Sequence, residues 1–338
     1  MTWLGLDIGG ANLKAADGLG WARSASFPLW RDPHGLAGAL ATLIEEAPAA
    51  DSLAVTMTGE LCDCFRCKVE GVRHILSAVD QAARGREVRV YLIDGRFVAV
   101  AEAYESPQLA AASNWHALAQ FACRFVAVGT GLLIDVGSTT TDVIPLMDGR
   151  VTARGQTDTE RLICRELVYR GIGRTPVCAV VRELPWRGQL YPVAAEVFAT
   201  TADAYLTLGD LPEDAHAEWT ADGRPLTKEN SKRRLARQIC ADAADVSDEE
   251  VGAIATAIRN GQFAELEQSI QAVVKQLPNP PTTCILSGSG EFLARAAAER
   301  SLGMLRLVSL AAEIGGSASG CAPSHAVAVL ASQGGKRG

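Results

Sequence analysis

The sequence predicts an α/β protein of two domains with a ligand cleft between them, and three observations carry that prediction. Leu132 to Leu146, LLIDVGSTTTDVIPL, runs as apolar strand, Asp, glycine turn, row of hydroxyls and apolar return. Trp3 to Ala16, WLGLDIGGANLKAA, repeats the device: Asp7 matches Asp135 and Gly9 matches Gly137, an offset of 135 − 7 = 128 residues. Strand-length apolar runs alternate with helical spacings in both halves, the pattern of helices laid on a sheet.

Each turn is suited to phosphoryl oxygens. Gly137 has no Cβ and lets the backbone approach a ligand, while Ser138, Thr139, Thr140 and Thr141 offer hydroxyl donors. Gly9, Gly10, Asn12 and Lys14 are their counterparts in the first hairpin. A third turn, Ser287, Gly288, Ser289 and Gly290, leads from a strand into a helix, where free N–H groups and the dipole favour anions. Asp7 and Asp135 end apolar strands beside these turns and are the expected carboxylates for a hydrated Mg²⁺ held against phosphate. Ordinary hairpin turns and a plain helix entry are the bland alternatives.

Composition narrows the classes. At 338 residues, two domains can each bury a core, and 48% hydrophobic with 21% charged residues is ordinary for a globular chain. A net charge of −7 and a pI near 5.4 argue against a nucleic-acid partner. No apolar run reaches the roughly 18 residues that span a bilayer, so no membrane partner is expected. The amino terminus enters a strand directly, without a basic region and apolar segment, and nine scattered cysteines fit reduced thiols in a cytoplasmic protein. The expected partner is a phosphorylated small molecule; a homodimer is compatible with the chain.

In order, a third strand is expected near Trp21–Pro28, a helix over Leu36–Glu46, and a buried strand Leu53–Met57 running into Thr58, Gly59 and Glu60. A helix Val69–Ala83 and a strand Val88–Ile93 follow, closed by Asp94–Gly95. Val98–Phe121 reads as helical, broken at Ser106–Pro107 and restarted by Asn114 as N-cap, and crosses between domains 1–128 and 129–322. The second domain continues with a helix Thr159–Tyr169, breakers at Gly171, Gly173 and Thr175–Pro176, and a polar excursion over Leu206–Asn230. Ser247 and Glu250 form a capping box, and a helix is expected after Asn260–Gly261 on Phe263, Leu266, Ile270, Val273 and Leu277. A last helix from Pro323 to Leu330, within 323–338, should pack back on the first domain, with Gly334–Gly338 as a frayed tail.

Paired Asp–Gly hairpins, a late Gly/Ser turn and a closing helix resemble the superfamily of sugar kinases, heat-shock chaperones and actin, which implies its two-domain actin-like, ribonuclease H-like fold. IDVGSTTTDV resembles the phosphate motif of the hydantoinase A and oxoprolinase group. GLDIGGANLKAA, VTMTGELCDCF, ASNWHALA, TERLICRELVYRGIGRTPV and GCAPSHAVAVLA are similar to a smaller family of tetrahydromethanopterin-linked C1-transfer proteins. What that resemblance implies is an enzyme of methanofuran or methylofuran assembly. It would join an (aminomethyl)furan-methyl diphosphate to the phenol of a tyramine or tyrosine unit and release diphosphate.

The residues support such chemistry on their own terms. A furan stabilises positive charge on its exocyclic carbon, so departure of a charged leaving group is the hard step, helped by Mg²⁺ and oriented donors. A phenol of ordinary pKa near 10 profits from a base. Glu60 is the first candidate, because Thr58–Gly59–Glu60 follows a buried strand; Asp142 is the second. Trp115, beside Asn114, is a candidate to stack on the developing cation, with core packing as its alternative. Arg66 and Lys68 are candidates to meet the diphosphate, against a solvated helix face. Cys62, Cys64, Cys67 and His74 offer a zinc set of unusual spacing, and His325 reads as a core histidine. An ATP-dependent kinase or hydantoinase-type amidohydrolase, and a nucleotide-switched scaffold, are the competing functions. A Walker-type phosphate loop and a full Gly-x-Gly-x-x-Gly are absent from the sequence.

Overall fold

The computed structural model describes residues 1–217 and 219–334. The first sheet contains β1 (Trp3–Ile8), β2 (Asn12–Ala16), β3 (Ala22–Ser26), β4 (Ser52–Met57), β5 (Glu87–Tyr91) and β6 (Phe97–Ala99), in the order β3-β2-β1-β4-β5-β6. The second contains β7 (Thr130–Val136), β8 (Thr141–Met147), β9 (Arg150–Val151), β10 (Leu167–Val168), then β13 (Thr283–Ser287) and β14 (Arg306–Ser309) after a separate hairpin of β11 (Glu183–Trp186) and β12 (Gln189–Pro192). Its order is β10-β8-β7-β13-β14, with β9 on β8.

One plan serves both sheets. A parallel trio, β1-β4-β5 or β7-β13-β14, carries an antiparallel hairpin partner, β2 or β8. Every residue of β4 and nearly every residue of β7 and β8 is buried, as expected for strands covered on both faces. The repeat extends to single residues. Asp7 pairs with Lys14 on β2 and Thr56 on β4, while Asp135 pairs with Asp142 on β8 and Ser287 on β13.

Two helices fill the space between the sheets. In the helix Asn114–Ala122, Leu118, Phe121 and Ala122 pack with Leu133 and Ile144 of the second sheet, while Ala117 packs with Ala54 and Tyr91 of the first. The closing helix Ala322–Gly334 joins the same two clusters through Ala322, Ala326, Val327 and Ala331. It lies so close to β1 that a Cβ on Gly5 would overlap the Ser324 carbonyl oxygen. Of the frayed tail expected over Gly334–Gly338, Gly334 ends the closing helix and the rest falls outside the described residues. No helix among the described residues is long and apolar enough to cross a membrane.

Three expected elements are corrected. The helix expected to reach Tyr169 spans Asp158–Cys164: Arg165 turns left-handed at φ 62°, and Leu167–Val168 pairs with β8 instead. Asn260–Gly261 does not begin a new helix, because one helix runs through it from Asp248 to Val274 behind the expected Ser247–Glu250 capping box. Gly261 serves close packing there, since a Cβ would come within 2.6 Å of the Val181 side chain. Ser113, not Asn114, is the N-cap residue of the crossing helix.

Gly5→Val should therefore push the closing helix off β1 and lower unfolding stability by about 1–3 kcal/mol or more, the usual cost of overpacking. Denaturant unfolding measures it, and a variant as stable as the parent would contradict the close approach.

Candidate active site

The two hairpin turns close with the same hydrogen bond. Gly9 N donates to Asn12 O at 3.0 Å, and Gly137 N donates to Thr140 O at 2.9 Å. Each turn is fixed by a following loop. In the first half, Phe27 N donates to Ala11 O and Leu29 N to Gly10 O, both at 2.9 Å. In the second, Ile172 N donates to Gly137 O at 3.0 Å, Gly173 N to Ser138 O at 3.0 Å and Arg174 N to Ser138 O at 2.9 Å. A Cβ on Gly171 would overlap the backbone of Gly137 and Ser138, so only glycine allows this seat. The third turn closes from the side. Gly288 adopts φ +88°, and a Cβ there would stand 2.8 Å from an Asp135 carboxylate oxygen.

The turns face one cleft of about 740 Å³. Asp7 and Asp135 both line it, and each has a buried Oδ1 with no hydrogen-bond partner among the described residues. Burial pushes both carboxyls up to about 6; Lys14 opposes the shift at Asp7, while at Asp135 Asp142 adds to it and the nearby Ser287 hydroxyl and Lys14 oppose it. Two buried carboxylate oxygens without donors, beside glycine turns of which the second is lined with hydroxyls, fit a hard divalent cation that takes one or two carboxylates and fills its shell with water and phosphate.

Beyond Asp135 the cleft wall changes character. Asp142 is the positional counterpart of Lys14, and Arg161 Nη2 donates to its Oδ1 at 2.5 Å. Burial raises the Asp142 pKa while Arg161 lowers it. The Arg161 guanidinium stacks 4.0 Å over Trp115 from the first half, and Arg161 is almost wholly buried, at 1% exposed. Asp158 lies 3.7 Å from Arg161 and 3.4 Å from Lys68, which reaches across from the helix Lys68–Ala83. Burial pushes Glu60 up to about 7, and the charges of Lys68 and Asp158 are both felt there.

The structure brings together Asp7, Gly9, Gly10, Asn12, Lys14, Thr58, Asn114, Asp135, Gly137, Ser138, Thr139, Thr140, Asp142, Gly288 and Ser289 on the cleft wall. Other expected site residues stand elsewhere. Glu60 is 1% exposed and sits behind the wall formed by Thr58, Leu61 and Ala112, with Oε2 unpartnered among the described residues. Trp115 is core beneath Arg161 and stacks on that cation. Arg66 is 91% exposed and tied to Glu70 at 3.1 Å, away from the cleft. Lys68 is not on the cleft wall and pairs with Asp158. Thr141 donates to Arg170 O at 2.8 Å, and of the third turn Ser287 and Gly290 are off the cleft wall. The cysteine set does not assemble: no group of three metal-ligand side chains is gathered among the described residues, and His74 Nε2 meets Pro33 O at 2.8 Å. His325 is buried against Phe121, as expected of a core histidine, but it is not the satisfied one expected, since its Nδ1 has no partner among the described residues. Sequence reasoning missed Trp30, Asp158, Arg161, Tyr169 and Arg174, all on the wall. For the last three the signal was TERLICRELVYRGIGRTPV, read there as a helix and breakers.

A family model described as hydantoinase/oxoprolinase matches residues 51–329. The chain is 33% identical over 330 residues, 97% of its length and 96% of the relative's, to (4-{4-[2-(gamma-L-glutamylamino)ethyl]phenoxymethyl}furan-2-yl)methanamine synthase of Methanocaldococcus jannaschii. A synthase of the same name from Methanococcus vannielii is 39% identical over 119 residues, 35% of this chain and 53% of that protein. Among solved structures, nucleotide-free acetone carboxylase superposes with a TM-score of 0.57 at 13% identity, over 95% of this chain and 70% of that one. The expected α/β class, with two sheets and a cleft between them, is the one found.

Folded, Glu60 keeps its proton up to about pH 7, against 4.5 for an ordinary glutamate. Its favourable share of stability is thus complete below pH 4.5 and is lost as pH rises to about 7. Glu60→Gln should unfold later than the parent at pH 8, by about 1–3 kcal/mol, and the gap should close toward pH 5. Thermal scans across that range check it; a gap independent of pH would contradict the buried, unpaired carboxyl.

Asp135→Asn tests the cation site without turnover. The parent should be stabilised by Mg²⁺ plus diphosphate at neutral pH, because ligands of the folded state alone raise stability. The variant should lose most of that shift, and an equal shift in both proteins would remove Asp135 from the site.

Proposed function

The chain belongs to the hydantoinase/oxoprolinase family, and from that premise we propose that it is a transferase that joins a furan-methyl group to a phenol with release of diphosphate. The name of the Methanocaldococcus relative describes an ether: a phenoxymethyl arm on a furan that also bears a methanamine. An enzyme making it must bond a phenolic oxygen to the exocyclic carbon of the furan, and that carbon must shed a leaving group. The observation that supports diphosphate is the matched pair of turns, each beside a buried, unpaired carboxylate, facing one cleft.

In this reading the Ser138, Thr139 and Thr140 hydroxyls and the turn of Gly9 to Asn12 hold the diphosphate oxygens, with Lys14 between the carboxylates. Mg²⁺ at Asp7 and Asp135 would supply neutralisation of the leaving group's charge. The C–O bond to diphosphate breaks with its electron pair on diphosphate, while a lone pair of the phenolic oxygen forms the new ether bond. The phenolic proton goes to Asp158, a cleft acid whose charge is felt at both Glu60 and Asp142. Asp142 is held by Arg161 at 2.5 Å, whereas Asp158 stands farther from its cations, 3.7 Å from Arg161 and 3.4 Å from Lys68. Nine free thiols support a reducing, cytoplasmic setting.

Diphosphate should appear from an (aminomethyl)furan-methyl diphosphate only when a phenol such as γ-glutamyltyramine, tyramine or tyrosine is present, and ATP should be neither needed nor consumed. Asp158→Asn should lower kcat at least tenfold at neutral pH and recover partly as pH approaches 10, the phenol's own pKa. Stoichiometric ADP formation would favour a kinase or ATP-dependent amidohydrolase instead.

A further inference from the structure

Three cations line the cleft among the described residues: Lys14, Arg161 and Arg174. Lys14 acts on Asp7 and Asp135, and Arg161 is bound to Asp142. Arg174 makes no ion pair and no side-chain hydrogen bond among the described residues; its guanidinium stacks 5.1 Å from the Trp30 ring. That contact joins the two halves of the protein immediately beside the two turns. Arg174 N donates to Ser138 O at 2.9 Å, in the second turn. Trp30 follows Leu29, whose N donates to Gly10 O at 2.9 Å, in the first.

We propose that Arg174 is the arginine that clamps the leaving diphosphate, docked on Trp30 so that both turns are drawn over the same anion. The identity of the anion rests on the function proposed above. Charge supports the assignment. The two carboxylates offset a divalent cation, which leaves Lys14 as the one further positive group near the turns, against a diphosphate that carries several negative charges. A guanidinium presents a planar fork of donors suited to phosphate, and can do so while its face stays on an indole. The backbone of Arg174 is already fixed to the turn that would hold the leaving group, so only the side chain must move. Because Trp30 belongs to the other half, capture of diphosphate by Arg174 would favour the closed cleft, excluding water while the furan-methyl carbon is electron-poor.

The test uses the full chain and inorganic diphosphate with Mg²⁺, read by calorimetry. Arg174→Gln should weaken diphosphate binding at least tenfold, Arg174→Lys should weaken it less, and orthophosphate should bind the parent more weakly than diphosphate. Trp30→Ala should weaken diphosphate binding severalfold, while Trp30→Phe, which keeps an aromatic face, should stay near the parent. Arg174 is exposed, and unchanged melting of the free variants checks that they fold. In turnover, Arg174→Gln should raise the donor KM and lower kcat while leaving the acceptor KM unmoved. Parent-like diphosphate affinity in Arg174→Gln overturns the clamp even if the ether is made, as does a rise confined to the acceptor KM. If no ether forms but diphosphate binding depends on Arg174, the clamp stands and the reaction assigned above falls.

Discussion

Two carboxylates that the fold buries without partners are the constraint on which the rest depends. Asp7 and Asp135 occupy equivalent places at the ends of β1 and β7, each with an oxygen that finds no donor, and burial holds both carboxyls near 6. An unpaired buried charge is among the costliest features a fold can retain, and proteins keep it where a ligand will share it. The surrounding structure is arranged to hold those two oxygens in place. Glycines at positions 171 and 288 admit backbone where any side chain would intrude, and the same turn hydrogen bond closes both hairpins.

The internal repeat is symmetric in backbone and unsymmetric in charge. Position 14 on β2 and position 142 on β8 are counterparts, each paired with its strand-end Asp, yet one is Lys and the other Asp. Lys14 relieves the two carboxylates, whereas Asp142 adds to the shift at Asp135 and needs Arg161 as a counter-ion. Arg161 in turn needs a surface that tolerates a buried guanidinium, and the Trp115 face gives it one. One substitution between the halves thus divides the cleft into an end suited to phosphoryl groups and an end where carboxylates and guanidinium meet.

The hairpins were legible because a two-residue period, an Asp and a glycine turn are local facts, and the offset of 135 − 7 = 128 set the two sheets in register before any packing was considered. The wall opposite them was not. Arg161 becomes a site residue only through Asp142 and Trp115, which the chain keeps far from it in sequence and only the packed layers bring near. Glu60 lies off the cleft wall for a related reason. A strand end beside a cleft does not say which way the next side chain turns, and the helix Lys68–Ala83 presses on its backbone so closely that Gly71 has no room for a Cβ. Leu167–Val168 read as the end of a helix because pairing with β8 is a long-range preference that local spacing does not record.

The contacts that join the halves divide by type, and the division bears on how the cleft works. Deep in the molecule, the helices Asn114–Ala122 and Ala322–Gly334 are bound to both sheets by Ala, Leu and Phe side chains, a close-packed layer that resists separation. At the cleft mouth the halves touch through Lys68–Asp158 and through the guanidinium of Arg174 on Trp30, above the buried stack of Arg161 on Trp115. A half-exposed ion pair contributes at most about 1 kcal/mol. An exposed cation–π contact contributes roughly 0.5–1 kcal/mol. The layer can therefore act as the axis while the mouth parts at small cost, and a ligand that binds groups from both turns has a large lever on the closed form. The polar contacts at the mouth are weak, and the apolar layer behind them joins the two sheets whose strands β1 and β7 carry Asp7 and Asp135.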